Sequence, residues 1–290
     1  MSGITPLMER NNDFAWMISD YLEESPGAIN RKVLEEADPD GSLPEQTVYA
    51  AVLSAFCGST PETDPYFFRS VEKLDAEEFL SDPYLRTIRF PETSHGRWSF
   101  THEEYAPYEA FICEDLEVLP DGTEIPKVGY FGESFRYPAV KEGGREWMAV
   151  KPSEIRSMKE PISAMHGDIA VIGLGLGYFP FMASLKNEVR RITLVDRDPS
   201  VMALFEKHLL PQFPFRDKIT LVQQDAFSFL ERIPEDKKPD CVFVDIWHDT
   251  SDGVPLYTKA KSLEKDGILY RYWLEKFLLS ALRWRKAAGE

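Results

Sequence analysis

The chain has 290 residues, with 33 Lys and Arg against 49 Asp and Glu, a formal net charge of -16 and 43% hydrophobic residues. This length predicts one large domain or two ordinary ones, and this composition excludes an intrinsically disordered chain. The three cysteines, Cys57, Cys113 and Cys241, lie far apart without a CxxC spacing, which argues against a disulfide framework and a structural zinc site, so we expect no metal. Residues 1–150 hold 29 acidic and 12 basic side chains, which argues against binding to a nucleic-acid backbone there.

The N-terminus has no sequence feature of a targeting segment. It carries Glu9, Arg10 and Asp13 where a signal peptide would need an apolar core, and no run of about 18 apolar residues occurs. We therefore expect a soluble, cytoplasmic protein that does not contact a membrane.

The first half of the chain changes its pattern near residue 107. Residues 12–105 predict helices, because apolar side chains such as Phe14, Met17 and Ile18 recur at three-to-four spacing. Residues 108–150 contain short apolar stretches broken by Asp121-Gly122 and Gly143-Gly144, which predict a three-strand antiparallel meander over 109–118, 125–134 and 146–150. We expect this meander to complete an open edge of the sheet that follows. The predicted domains are thus 1–107, 108–150 and 151–290.

The second half alternates between helix and strand patterns. A short helix over 153–165 precedes strands over 168–172, 191–195, 218–223 and 241–244, with helices over 178–186, 199–209 and 226–232 between them. This alternation predicts a parallel sheet with crossover connections. After Val244 no further strand is recognisable. Apolar residues at helical spacing from Tyr270 to Leu282 predict an amphipathic helix that packs internally or against a second copy in a homodimer.

A glycine turn follows the first strand of this half. Gly173, Gly175 and Gly177 separate the apolar run 169–172 from a helix that starts at Tyr178. Glycines there let the backbone approach a ligand and expose helix N–H groups, although a tight turn without a ligand is the alternative. A dinucleotide-binding G-x-G-x-x-G turn needs its third glycine where this chain has Tyr178, so the spacing argues against NAD and FAD.

Acidic residues follow the next two strands. Asp196 stands where a carboxylate can accept both hydroxyl protons of a ribose, whereas Asp198 better fits a cap for the helix beginning at Pro199. Asp225 can accept from an adenine amine or cap the next helix. Because the carboxyl ends of parallel strands meet at one edge of a sheet, the turn and these acids predict one binding crevice.

On these motifs, residues 153–249 resemble the S-adenosylmethionine-binding core of class I methyltransferases. The resemblance implies an α/β, Rossmann-like core with a parallel sheet shortened at the C-terminus, and S-adenosyl-L-methionine as cofactor. Two features are similar to the spermidine synthase branch. One is Val171, at a position where methyltransferases usually have an acid, and the other is the helix with Glu154 and Met158. The implied cofactor-binding residues are Gly173, Leu174, Gly175, Gly177, Asp196, Arg197, Asp225, Ala226 and Asp245.

The segment after the fourth strand holds the candidate catalytic residues Asp245, His248 and Asp249. Spermidine synthases carry D-x-x-D at the matching place, where the carboxylates hold and deprotonate an amine. Here Asp245 matches the first Asp and His248 takes the place of the second. His248 is either a general base oriented by Asp249 or a polar loop residue. Trp247 either walls the substrate pocket or covers the end of the sheet.

Three functions are compatible with this pattern. They are S-adenosylmethionine-dependent methyl transfer to an unidentified small-molecule or protein acceptor, aminopropyl transfer, and cofactor binding without catalysis. The chain has no N-P-P-Y type motif of amino-methylating nucleic-acid enzymes, and with its acidity this leads us to expect no nucleic-acid partner. If the acidic half lines the acceptor pocket, we expect a cationic acceptor. Candidate pocket walls, or core residues, are Tyr105, Tyr108, Tyr130, Phe131 and Phe135.

Overall fold

A computed structural model describes residues 3–235 and 238–289 of the chain. Two compact units are each assembled from separate segments of the chain. The first unit comprises 3–78, 104–136 and 279–289, and the second comprises 79–103 and 137–278. The units do not follow the predicted boundaries after 107 and 150, because the chain passes from one unit to the other more than once.

The helices of the described residues are, in chain order, α1 (Pro6–Glu24), α2 (Arg31–Ala37), α3 (Glu45–Phe56), α4 (Asp64–Ser70), α5 (Ala76–Leu80), α6 (Pro83–Thr87), α7 (Pro152–Ala164), α8 (Tyr178–Ser184), α9 (Pro199–His208), α10 (Ala226–Glu231), α11 (Thr250–Ser262) and α12 (Glu275–Ala288). The strands are β1 (Val71–Lys73), β2 (Thr93–His95), β3 (Trp98–Tyr105), β4 (Phe111–Ile112), β5 (Glu117–Val118), β6 (Glu124–Ile125), β7 (Val128–Tyr130), β8 (Phe135–Glu142), β9 (Arg145–Ala149), β10 (Gly167–Ile172), β11 (Val189–Asp196), β12 (Ile219–Gln223), β13 (Cys241–Val244) and β14 (Leu269–Tyr272).

The first unit has an aromatic core supplied by its helices and a mixed sheet. The sheet has the order β1-β7-β4, in which β1 runs parallel and β4 antiparallel to β7. Phe14 and Phe67 are fully buried, and the ring of Tyr49 stacks on that of Tyr130 with centroids 3.9 Å apart. The five aromatic residues considered as acceptor-pocket walls belong to this unit and are all buried; they are Tyr105, Tyr108, Tyr130, Phe131 and Phe135.

The antiparallel strands differ from the predicted three-strand meander. Residues 109–150 contribute strands to three sheets: β4 and β7 to the mixed sheet, β5 and β6 to a hairpin, and β8 and β9 to a sheet of order β2-β3-β8-β9. The prediction of helices throughout 12–105 was also wrong at β1, β2 and β3. In β3, buried Trp98 and Phe100 alternate with less buried neighbours. That alternation is a strand pattern with a period of two, which helical spacing does not detect.

The parallel sheet of the second unit has the order β12-β11-β10-β13-β14, and each neighbouring pair is parallel. Numbered along the chain this order is 3-2-1-4-5, which is typical of a Rossmann-like fold. The runs 169–172 and 241–244 are buried throughout, as in sheets whose two faces are covered. The predicted α/β, Rossmann-like core with a shortened sheet is therefore confirmed. The strand order reverses between β10 and β13, where such folds open a crevice at the carboxyl ends of the strands.

Strand β14 corrects two predictions about the C-terminal part. Residues after 250 do supply a further strand, and β14 rather than the 109–150 region pairs with β13. The helix predicted from Tyr270 begins only at Glu275. Tyr270 and Tyr272 are buried and alternate with less buried residues, so the strand pattern takes precedence over the helical spacing there.

Candidate functional site

A cavity of about 190 Å³ lies within the second unit at the carboxyl ends of the parallel strands. Residues that follow β10, β11, β12 and β13 form much of its wall, together with α7 and two antiparallel hairpins. Three predicted site residues, Gly177, His248 and Asp249, do not line it. The predicted site residues that line it are Gly173, Leu174, Gly175, Asp196, Arg197, Asp225, Ala226 and Asp245.

Neighbouring chain segments approach the turn so closely that two of its positions require glycine. Gly173 has a φ of +103°, and a Cβ atom there would lie 1.8 Å from the backbone oxygen of Asp245. Gly177 has a φ of +74°, and a Cβ atom there would lie 2.4 Å from the ring of Phe205. Packing between β10, β13 and the helices therefore accounts for these two glycines. Gly173 places the turn beside Asp245 in the cavity wall.

Asp196 lies at the end of β11 with both carboxylate oxygens turned to backbone donors. Its Oδ2 accepts a hydrogen bond from Leu174 N at 3.1 Å, and its Oδ1 accepts one from Asp198 N at 2.8 Å. Burial raises the pKa of Asp196, and these two N–H groups oppose that rise. Each oxygen can still accept from another donor, as a pair of ribose hydroxyls would require. Asp198 caps α9, as predicted, by accepting from Ser200 N at 2.8 Å.

Asp225 performs the capping role that the sequence left open. Its Oδ1 accepts a hydrogen bond from Ser228 N at 2.9 Å at the N-terminus of α10. Asp225 also lines the cavity beside Ala226 and Phe227. One carboxylate oxygen is therefore committed to the helix, while the other remains available to a ligand donor.

His248 and Asp249 are held in contacts outside the cavity wall. The Nε2 of His248 lies 2.9 Å from the backbone oxygen of Glu146, which can only accept, so Nε2 carries a proton. Its Nδ1 lies 3.1 Å from Nη2 of Arg145 and 3.2 Å from Oδ2 of Asp249. Asp249 caps α11 in a reciprocal pair with Asp252. Burial raises the pKa of Asp249, but hydrogen bonds from Ser251 and the neighbouring His248 together outweigh it and bring the pKa down to about 2.

Residues of the cavity wall carry buried polar atoms without partners among the described residues. Glu154 is 5% exposed, and its Oε2 has no hydrogen-bond partner of ordinary geometry among the described residues. The indole nitrogen of Trp247, which lines the same cavity, also has no such partner, whereas the indole N–H of Trp273 lies close enough to Glu154 to lower its pKa as a donor. Because buried polar groups are nearly always hydrogen-bonded, this arrangement favours a polar ligand.

Two carboxyl groups of the cavity wall have strongly raised pKa values. Burial, and secondly the charge of Asp245, raises the pKa of Glu154 to about 8. Burial raises the pKa of Asp245 to about 7. Glu154 entered the sequence analysis only through the resemblance. A signal was nevertheless present, because this acid shares the buried face of α7 with Ile155 and Met158.

These raised pKa values make stability depend on pH. The folded protein keeps protons on Glu154 and Asp245 that the unfolded chain loses above about pH 4.5. The free energy of unfolding should therefore fall between about pH 5 and about pH 8, by up to about 1.4 kcal/mol per pH unit for each proton held. In Glu154→Gln the fall should be shallower. Urea unfolding across this range measures both slopes, and identical slopes would contradict the prediction.

Several cavity residues come from hairpins that the sequence motifs did not indicate. Arg97 and Trp98 belong to the β2–β3 hairpin, and Trp147 and Met148 belong to β9. The rings of Trp98 and Trp147 meet edge to face with centroids 6.1 Å apart. The Sδ of Met148 accepts a hydrogen bond from Leu176 N at 3.3 Å. These residues are remote in sequence from the glycine turn, so only the folded chain brings them to it.

The cavity wall is strongly acidic. Its only cationic side chains among the described residues are Arg97 and Arg197, and Arg97 pairs with Glu142 at 2.8 Å and Asp198 at 3.0 Å. All lining residues belong to the second unit, so this acidity does not depend on the first unit. The carboxyl side chains in the wall are Glu142, Glu154, Asp196, Asp198, Asp225, Asp245 and Asp252.

Tyr84 fixes the glycine turn from outside the cavity wall. Its side chain is fully buried, and its hydroxyl donates a hydrogen bond to the backbone oxygen of Leu176. Tyr178, at the start of α8, donates to Oδ2 of Asp82 at 3.0 Å. Asp82 in turn caps α6 by accepting from Tyr84 N at 2.8 Å. The loop around α6 thus carries a hydrogen-bonded support for the turn.

Replacing Tyr84 with phenylalanine tests this support. The change removes one hydroxyl and leaves the Leu176 carbonyl buried without that donor. We expect the free energy of unfolding to fall by about 1 to 3 kcal/mol, which is the typical cost of an unsatisfied buried acceptor. Urea unfolding of the wild type and Tyr84→Phe at one pH measures the difference. Unchanged stability would show that the hydroxyl does not support the turn.

Comparison with known proteins yields structural neighbours only. No protein-family model matches the sequence, and no curated protein matches it. A precorrin 8w decarboxylase of Methanobacterium thermoautotrophicum is 23% identical with a TM-score of 0.33, over 47% of this chain and 71% of that chain. A "putative methylase" of Haemophilus influenzae is 20% identical with a TM-score of 0.30, over 39% and 68%. The spermidine synthase of Thermotoga maritima is 13% identical with a TM-score of 0.35, over 53% and 57%.

Because these TM-scores are low, we base the function on this chain's own strand order and cavity. Among the described residues, neither a membrane-spanning helix nor a metal-binding cluster is found. None of their helices is long and apolar enough to cross a membrane. They also contain no group of three or more His, Cys, Asp or Glu side chains placed to hold a metal ion.

Proposed function

We propose that this protein is a methyltransferase that uses S-adenosylmethionine. The observation that carries the proposal is the convergence of the glycine turn, Asp196 and Asp225 on one cavity at the switch point of the parallel sheet. In Rossmann-like folds this is where nucleoside cofactors bind. The glycine spacing, with Tyr178 in place of a third glycine, argues against a dinucleotide.

The residues present fit the proposed cofactor. Asp196 retains acceptor capacity for two ribose hydroxyls, and Asp225 retains one oxygen for the exocyclic amine of adenine. Among the described residues, the indole N–H of Trp247 is a buried donor without a partner, which suits a carboxylate such as that of the cofactor's amino-acid end. The acidic wall suits the positive charge of a sulfonium.

The bound cofactor would supply an activated methyl group together with its own leaving group. The chain's residues then have to orient the acceptor, exclude water and manage one proton. Trp98 and Trp247 are almost fully buried and form apolar parts of the wall, which limits the entry of water. Asp245 is the only predicted catalytic residue that lines the cavity.

Calorimetry tests the proposal directly. S-adenosylhomocysteine should bind to the wild type with one site per chain, and a nicotinamide dinucleotide should not bind. Transfer of a labelled methyl group from S-adenosylmethionine to amine-bearing acceptors would then establish the reaction. The absence of S-adenosylhomocysteine binding at millimolar concentration would exclude the proposed function.

One observation favours aminopropyl transfer as a second candidate. The carboxyl groups of Glu154 and Asp245 line the cavity, and Lys151, the cation that acts on Glu154, is paired with Glu146 at 2.6 Å. A cofactor without its carboxylate would avoid repulsion from Glu154 and Asp245. Comparison of S-adenosylmethionine with its decarboxylated form separates the candidates: tighter binding and aminopropyl transfer from the decarboxylated form would favour the second.

A further inference from the structure

A surface groove of about 480 Å³ lies in the first unit, between α1 and the C-terminal end of α3. We refer to it as the α1 groove, with a wall that includes Asp13, Trp16, Asp20, Glu24 and Phe56. Trp16 is 67% exposed, more than any other large hydrophobic side chain of the described residues, and Phe56 is 53% exposed. Single exposed apolar side chains are common, but two exposed aromatic rings in one groove are typical of an interaction surface.

The exposed rings of the α1 groove rest on packed side chains. Tyr21 is buried in the groove wall, and the centroid of its ring lies 6.2 Å from that of Phe56. Met17 and Cys57 are half-buried in the same wall. Burial raises the pKa of Cys57 to about 12, so its thiol stays protonated and uncharged. The base of the groove is therefore apolar and already formed.

The rim of the α1 groove is negatively charged. Asp13, Asp20 and Glu24 are exposed on α1, and with Trp16 they occupy positions i, i+7, i+11 and i+3 of one helix face. Among the described residues, no Lys or Arg side chain lines this wall. The groove therefore combines an aromatic surface with carboxylates that no cation of its own wall neutralises.

The positions of these acids are unfavourable for α1 itself. Asp20 and Glu24 are four residues apart, where like charges repel across one helical turn. Glu24 is also the last residue of α1, where the negative end of the helix dipole disfavours a carboxylate, and the last turn has no basic side chain. A cation supplied by a partner would relieve both repulsions. These acids thus cost the helix stability that a bound cation would restore.

We propose that the α1 groove binds a basic amphipathic segment of a partner protein. Apolar side chains of the segment pack on Trp16 and Phe56, and its Lys or Arg side chains pair with the carboxylates of the rim. This surface lies wholly in the first unit, so the proposal does not depend on the function proposed above.

A protein segment suits the α1 groove better than other occupants do. Pockets for small molecules enclose most of the ligand surface, whereas Trp16 and Phe56 are more than half exposed. The carboxylates would repel an anionic membrane surface, and they would also repel the same groove of a second copy. A basic segment meets both the charge and the apolar surface.

Nitrogen-15 NMR tests the proposal at the groove itself. The probe is the basic amphipathic peptide acetyl-Lys-Leu-Arg-Lys-Leu-Leu-Arg-Lys-Leu-Lys-amide, whose leucines recur at helical spacing. The chain has 6 Trp residues, and Trp16→Phe identifies the indole signal of Trp16. The peptide should shift this signal in a saturable way. A peptide attracted only to the acidic cavity would overturn the proposal by shifting the indoles of that wall alone, which are Trp98, Trp147, Trp247 and Trp273.

Two matched peptides separate charge from apolar contact. One has serine in place of each leucine and keeps the charge, and the other has glutamate in place of each lysine and arginine and keeps the leucines. Each should bind at least about tenfold more weakly, because either the apolar anchors or the charge partners are missing. Equal binding of the serine peptide would show attraction by net charge alone and would overturn the proposal.

Charge reversal at two adjacent positions of α1 gives matched protein variants. Glu24→Lys should weaken binding of the basic amphipathic peptide by about tenfold or more, because it places a repelling cation in the groove. Glu23→Lys makes the same change of charge one residue earlier, but Glu23 does not line the groove, so we expect a loss below about threefold. Both changes suit the C-terminal end of a helix, so unfolding would not explain a loss of binding. Equal losses in the two variants would contradict the proposal.

Trp16→Ala tests the apolar contact. It should weaken binding of the peptide by about tenfold or more and leave the free energy of unfolding almost unchanged, because Trp16 is mostly exposed. Unchanged peptide binding would overturn the proposal. Sedimentation and phosphatidylcholine vesicles address the other occupants, and we expect wild type and Trp16→Ala to behave alike in both. Self-association or vesicle binding that Trp16→Ala abolishes would instead assign the groove to a second copy or to a membrane.

Discussion

Gly173→Ala should lower the free energy of unfolding by more than about 3 kcal/mol. A φ of +103° is unfavourable for alanine, and the added Cβ would lie 1.8 Å from the backbone oxygen of Asp245. Backbone cannot move aside as a flexible side chain can, so the ends of β10 and β13 would have to separate. Urea unfolding followed by circular dichroism measures the loss.

Gly144→Ala is the matched control for this experiment. Gly144 has a φ of +89° in the turn between β8 and β9, and a Cβ there would meet nothing within 4 Å. Its replacement isolates the cost of the backbone conformation, about 1 to 2 kcal/mol. If Gly173→Ala costs no more than Gly144→Ala, the close approach to Asp245 does not constrain the turn.

The second large effect concerns the cofactor. Asp196→Asn should weaken the binding of S-adenosylhomocysteine by about 10-fold to 100-fold, the range expected when charge-assisted hydrogen bonds of about 1.5 to 3 kcal/mol are lost. In the wild type, Leu174 N and Asp198 N donate to different carboxylate oxygens of Asp196. The asparagine side chain has only one acceptor oxygen, so one of these two donors loses its acceptor. Calorimetry at constant salt and pH measures the change.

Asp198→Asn makes the control for Asp196→Asn. Asp198 also lines the cavity, but its carboxylate is occupied by Ser200 N and Arg97. Asparagine is a good N-cap, so we expect almost unchanged stability and a change in affinity below about threefold. Equal losses in the two variants would show that general acidity of the wall, rather than the position of Asp196, holds the ligand.

One part of the cavity wall was predictable because each of its residues directly follows a strand of the parallel sheet. Each strand of a parallel sheet ends at the same edge, so Gly173, Asp196 and Asp225 could be assigned to one crevice without knowledge of their contacts. The structure places all three in the cavity wall.

The other half of the site was not predictable in the same way. Trp98, Trp147 and Met148 come from hairpins whose short strands have weak patterns, and tertiary packing alone brings them to the glycine turn. The same weakness explains the missed β14 and the wrong meander. Strand β14 has only four residues, Leu269–Tyr272, whose burial alternates. The helical spacing of apolar residues continues into α12, so the sequence predicted a helix that began too early.

The structure also changes which acidic residues are relevant to the acceptor. The prediction of a cationic acceptor depended on an acidic N-terminal half lining the pocket. Residues 1–150 do contribute to the described cavity wall, but Glu142 is the one acidic side chain among their lining residues, and the other six carboxyl groups of the wall come from residues after 150. The proposal of a cationic acceptor therefore rests on the carboxyl groups of the cavity wall rather than on net charge.

The discontinuous first unit has a consequence for synthesis on the ribosome. Residues 279–289 belong to this unit, where Arg283 and Ser280 both bond to the carboxylate of Glu124 and Gly3 N donates to Ala287 O at 3.0 Å. During translation, residues 3–136 are synthesised before residues 279–289. The contacts of residues 279–289 with Gly3 and Glu124 can therefore form only after the whole Rossmann-like core has been translated.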